Sequence, residues 1–78
     1  MGLEDAARHF ADSAESLYRT ANELANTTRV SLGDPQMDAA LTARQARTAL
    51  WIEVIGDDMA EGAAEATAQL IERDQGNQ

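Results

Sequence analysis

The sequence predicts an all-α fold, an antiparallel hairpin of two long helices, on three observations. Apolar residues recur in alternating steps of four and three from Leu3 to Thr28. A helix-stop, helix-start signal lies at Ser31-Leu32-Gly33-Asp34-Pro35, and a second apolar stripe at helical spacing follows it. The first segment reads Leu3, Ala7, Phe10, Ala14, Leu17, Ala21, Leu24, Thr28, the pattern of a coiled-coil seam. Large side chains hold one seam position and small ones the other, which lets a partner helix come close. In the turn, Gly33 suits the left-handed residue that follows a helix, Asp34 an N-cap and Pro35 the first helical position.

The second stripe is Met37, Leu41, Trp51, Ile52, Ile55, Met59, Ala63, Ala66 and Leu70, interrupted by Arg44 and Thr48. Folding the chain at Leu32–Gly33, with equal rise on both helices, pairs positions whose numbers sum to about 65. Phe10 then meets Ile55, Ala14 meets Trp51, Ala21 meets Arg44 and Leu24 meets Leu41, so that Trp51 enters the core opposite a small residue. In this register residues beyond about 62 overhang the first helix. Two arrangements fit Gly56-Asp57-Asp58. Gly56 can end a helix and Asp58-x-x-Glu61 can open a third as a capping box. Alternatively, one long helix, kinked or straight, runs through; Ile52, Ile55, Met59, Ala63, Ala66 and Leu70 keep phase across the glycine, whose interior cost is about 1 kcal/mol. That phase continuity favours the long helix. Residues 1–74 form one domain, and Gln75-Gly76-Asn77-Gln78 reads as a frayed polar tail.

Sixteen of the 78 residues are Ala, against eighteen large apolar side chains, so the core is thin. Burying eighteen of them at about 1.5–3 kcal/mol each falls short of a backbone ordering cost of about 1–2 kcal/mol per residue. Self-association, as a dimer, is therefore expected. On the second helix Ala39, Ala43, Ala46, Leu50 and Val54 point away from the first seam, and Ala11, Tyr18 and Ala25 form a similar flank on the first. Two hairpins packed as a four-helix bundle would bury both flanks, making Ala11, Tyr18, Ala25, Ala43, Ala46, Leu50 and Val54 the expected oligomer interface.

Fourteen acids face six cations, all of them Arg, for a net charge of −8. That balance argues against direct binding to a nucleic-acid backbone or an anionic membrane and for a protein partner with a basic surface. No apolar run approaches the roughly 20 residues that span a bilayer. Glu4, Asp5 and Asp12 stand where a signal peptide is basic and then apolar, so a cytoplasmic location is expected. The absence of Cys excludes disulfides, thiolate metal sites and cysteine nucleophiles.

No enzyme activity, cofactor or metal is expected. Ser13, Ser16 and Ser31 lie in no nucleophile-elbow context, and no glycine-rich loop precedes a helix in phosphate-cradling order. Asp5, His9 and Asp12 share a helix face at metal-ligand spacing, but His9 sits at an outward heptad position and reads as an exposed histidine. Arg44 and Arg47 either clamp a partner's carboxylates or lay their stems over apolar surface. Asp57, Asp58, Glu61 and Glu65 form an acidic run that the expected register brings near Glu4, Asp5 and Asp12. Carboxylates at Asp57, Glu61 and Glu65 stand about 6 Å apart, comparable to phosphate spacing. Two functions follow: a non-enzymatic interaction or structural protein that self-associates, or an acidic inhibitor that mimics nucleic acid to block a host or defence protein.

The stretch Leu41-Thr42-Ala43-Arg44-Gln45-Ala46-Arg47-Thr48-Ala49-Leu50-Trp51-Ile52 resembles short Ala- and Arg-rich helical-hairpin proteins of actinobacteria and their phages. The resemblance covers most of the chain loosely. It implies a helical hairpin and a phage-derived or accessory role, in the host cytoplasm or the virion, and it assigns no functional residue. The small hairpins of type VII secretion differ, since they carry Trp-x-Gly in the turn whereas Trp51-Ile52-Glu53 lies within the second segment.

Overall fold

A computed structural model describes residues 2–76, which form two antiparallel helices, α1 (Leu3–Asn26) and α2 (Pro35–Gly76), packed along each other. Glu4 and Asp5 occupy the first turn of α1, where carboxylates favour the positive end of the helix dipole. The helix ends where short polar side chains take its last carbonyls. Asn26 Nδ2 donates to the Asn22 carbonyl at 2.9 Å and Thr27 Oγ1 to the Glu23 carbonyl at 2.6 Å. Thr27 itself is extended, at φ −73° and ψ 124°. The stop therefore comes before Thr28, and Gly33, in the left-handed region at φ +81°, serves the turn into α2 and does not cap α1. Asp34 is the N-cap expected of it, its Oδ1 accepting the N–H groups of Gln36 at 3.1 Å and Met37 at 3.3 Å.

The α1–α2 register differs from the expected one. A Cβ placed on Gly56 would lie 3.0 Å from Tyr18 Cε1 and 3.5 Å from Leu17 Cβ, and one on Gly62 would lie 2.9 Å from Phe10 Cδ1, so the facing residues sum to 72–74. The cause is the connection. Residues 27–34 are non-helical, and Arg29, Ser31 and Leu32 hydrogen-bond to Asp38, which lays them beside the first turns of α2 before the chain reverses. Gln45 joins the two regions, donating to the carbonyls of Leu24 at 2.6 Å and Thr27 at 2.8 Å.

That shift selects a different stripe of α2. Gln45, Ala49, Ile52, Gly56, Met59, Ala63, Ala66 and Leu70, all buried or half-buried, face α1 in steps of four and three. Trp51 and Ile55 lie outside this stripe and are 65% and 46% exposed, so the expectation that they fill the core is corrected. Ala66 is buried and Leu70 half-buried opposite the start of α1, so neither overhangs. Gly56 does not break α2. It is buried beneath Tyr18, and its missing side chain makes room for that ring. Among the described residues the buried apolar side chains are only Ala14, Ala21, Ala49 and Ala66, and no large side chain is fully buried. α2 takes in Gln75 and Gly76; Asn77 and Gln78, the rest of the expected tail, lie outside the described residues.

Candidate functional site

With Ala49, Ile52 and Gly56 turned to α1, the opposite side of α2 carries Leu50, Trp51, Val54 and Ile55, each between 46% and 65% exposed. Residues three and four apart are neighbours on a helix surface, and the pairs Leu50–Val54, Trp51–Val54 and Trp51–Ile55 link the four into one apolar patch. Charges bracket it along the helix: Arg44 and Arg47 before it, Asp58, Glu61 and Glu65 after it, all exposed. The series Arg44, Arg47, Trp51, Val54, Asp58, Glu61, Glu65 advances in steps of three and four, which makes it a second seam on the same helix. None of its charges is paired within the hairpin. The one ion pair among the described residues is Arg19–Glu15 on α1, at 3.4 Å.

The residues expected at an oligomer interface fall in three places, with Leu50 at the border of two. Leu50 and Val54 belong to the exposed patch, with Ala43 exposed beside them. Tyr18, Ala25, Ala46 and Leu50 line a groove of about 710 Å³ between the helices, shared with Arg29, Gln45 and Glu53. Ala11 is exposed on α1. Tyr18 is largely committed to the hairpin, since its ring covers Gly56 and its hydroxyl donates to the Asp57 carboxylate. That hydrogen bond, with some desolvation and the negative charges of Asp57 and Glu53, raises the phenol's pKa above its ordinary value. Asp57 thus has a partner within the chain. Of the expected meeting of the acidic run with Glu4, Asp5 and Asp12, the register keeps only Asp12 level with the run, near residues 60–62, and sets Glu4 and Asp5 against later turns of α2.

Sequence reasoning missed the polar cluster that holds the connection. Asp38 accepts the Ser31 hydroxyl at 2.7 Å and the Leu32 N–H at 3.0 Å. Arg29 Nη2 donates to the Asp38 carbonyl at 2.8 Å and to Thr42 Oγ1 at 3.3 Å. The Leu32 N–H, the Ser31 hydroxyl and the Arg29 charge hold the Asp38 carboxyl below its ordinary range. A cation nine residues before an acid carries no periodic signal, since one partner lies in the non-helical connection and the other in α2. Gly62, the seat of Phe10, was missed too, although its distance from Gly56 is close to that between Phe10 and Tyr18.

Asp5, His9 and Asp12 are all exposed, and among the described residues no group of three His, Asp or Glu side chains is arranged to hold a metal ion. No described helix is long and apolar enough to cross a membrane. No protein-family model, curated protein or solved structure matches the chain.

Proposed function

We propose that this chain is a non-enzymatic helical-hairpin interaction protein that works by self-association through the outer face of α2. The observation that carries this reading is the inversion of burial. The buried side chains are alanines, while Leu50, Trp51, Val54 and Ile55 stand together in solvent. Patches of this kind mark interaction sites. The shape supports the same reading. The hairpin has a radius of gyration of 18.5 Å and exposes 6012 Å². A compact chain of this mass would have a radius of about 11–12 Å and expose about 4600 Å².

The charge pattern favours a second copy over a basic nucleic-acid-binding groove as the occupant. A nucleic-acid mimic needs unbroken negative charge, whereas Asp58, Glu61 and Glu65 share their face with Arg44 and Arg47, and the surface is dipolar along the helix. Sedimentation velocity of the native chain and of Trp51→Ala, with circular dichroism of both, is the test. The native chain is expected to sediment as a dimer at micromolar concentration, and the variant as a monomer of equal helicity. A native chain that is folded and monomeric at tens of micromolar overturns the reading.

A further inference from the structure

Building on that self-association, we propose that two copies pair antiparallel along α2 about a two-fold axis, with Arg47 of each chain opposite Asp58 of the other and Arg44 opposite Glu61. The outer seam of α2 is self-complementary in one direction only. If it is folded onto itself about a point between Ile52 and Glu53, facing residues sum to about 105 on equal helical rise. Trp51 then meets Val54 of the second copy, Leu50 lies beside Ile55, and the two arginines of each chain meet two carboxylates of the other. Four apolar side chains per chain are covered, and eight charges that have no ion-pair partner within the hairpins acquire one. A parallel, in-register pair would instead set Arg44 and Arg47 against themselves and Asp58 and Glu61 against themselves, and juxtaposed like charges are strongly disfavoured.

Steric fit agrees with this direction. The seam extends past the charges to Met37 and Ala40 at one end and Glu65 and Ala68 at the other, so Met37 faces Ala68 and Ala40 faces Glu65. Each end therefore opposes a small residue to a larger one. Residues 37–68 span about 47 Å of helix, most of the 67 Å length of the hairpin. The excess surface of the elongated chain over a compact one exceeds the roughly 800 Å² per partner of a standard interface. Because the patch lies opposite α1, the pair places the two α2 helices at the centre and the two α1 helices outside.

Two charge-reversed chains test the direction and the register together. Arg44→Glu/Arg47→Glu makes the seam uniformly acidic, and Asp58→Arg/Glu61→Arg makes it uniformly basic. Sedimentation equilibrium of each chain alone is expected to show self-association weakened at least about a hundredfold. An equimolar mixture is expected to form a one-to-one heterodimer at native strength, because every facing pair is again of opposite sign. That rescue also shows both variants to be folded. Variants that each dimerise as tightly as the native chain, or a mixture that stays monomeric while the native chain dimerises, overturn the antiparallel register and leave self-association standing. A native chain that is monomeric removes both.

Discussion

The two faces of α2 are built on the same three-and-four spacing and do opposite things. The face toward α1 is lined by Ala49, Gly56, Ala63 and Ala66, whose lack of bulk lets Leu17, Tyr18 and Phe10 of α1 seat against the helix backbone. The outer face carries Trp51 and Val54 between cations and anions, and among the described residues nothing covers it. On the inner face small side chains mark the closest contacts and Ile52, Met59 and Leu70 are half-buried between them, while Leu50, Trp51, Val54 and Ile55 are left exposed on the other. Where the helix axes approach most closely, at Gly56 and Gly62, a bulkier side chain would meet the rings of Tyr18 and Phe10.

The sharpest break in this comparison is to put bulk on the inner face. Gly56→Leu gains about 1 kcal/mol of helix propensity, but its Cβ alone would meet the Tyr18 ring at 3.0 Å and Leu17 Cβ at 3.5 Å, so the ring that packs on Gly56 must be displaced. A net loss of about 2–3 kcal/mol is expected from overpacking, read from urea unfolding at a fixed low protein concentration. Next is a paired truncation. Leu17→Ala removes a half-buried side chain that faces Gly56 and should cost about 2 kcal/mol independently of protein concentration. Trp51→Ala should leave the unfolding midpoint unchanged at the lowest concentrations and lower it progressively as concentration rises, because its contribution enters through association. A Trp51→Ala loss that is large and concentration-independent would place the indole in the hairpin core and erase the distinction between the faces.

A third effect lies at the helix start that both faces share. Asp34→Ala removes the N-cap of α2 and should cost about 1 kcal/mol, measured by thermal melting.

Smaller still are the effects of pH on the connection that sets the inner register. The Asp38 carboxyl is held below its ordinary range, so its contribution is complete above the unfolded carboxylate value and disappears as pH falls through the depressed one. The hydrogen-exchange protection factors of residues 29–33, taken relative to the intrinsic rate at each pH, should fall on acidification to that point, and Asp38→Asn should remove most of this dependence. The raised pKa of Tyr18 has the opposite sense. Its contribution is complete below the ordinary phenol value of 10.0 and is lost as pH rises through the raised one, which absorbance titration of the phenol and Tyr18→Phe would reveal. His9→Ala, on the exposed side of α1, should change stability by less than about 0.5 kcal/mol.

The sequence by itself determined the helices and one seam. Leu3, Ala7, Ala14, Leu17, Ala21 and Leu24 lie where their spacing places them, and Asp34-Pro35 opens α2 because a carboxylate N-cap and a preset φ act within a few residues of each other. Continuity of α2 across Gly56 was also legible, since the apolar phase persists through it. The candidate site is legible only in part: spacing assigns Leu50 and Val54 to an outward strip but sets Trp51 and Ile55 toward the core, where the structure exposes them. Periodicity shows that a helix has a stripe, but α2 has two, and nothing local ranks them. Tertiary structure made that choice through two quantities no single segment contains. One is the path of the non-helical residues 27–34, held along the first turns of α2, which slides α1 along α2 by about two helical turns relative to a tight reversal. The other is the close approach of Phe10 and Tyr18 to Gly62 and Gly56, whose missing side chains turn that side of α2 toward α1 and leave Trp51 in solvent.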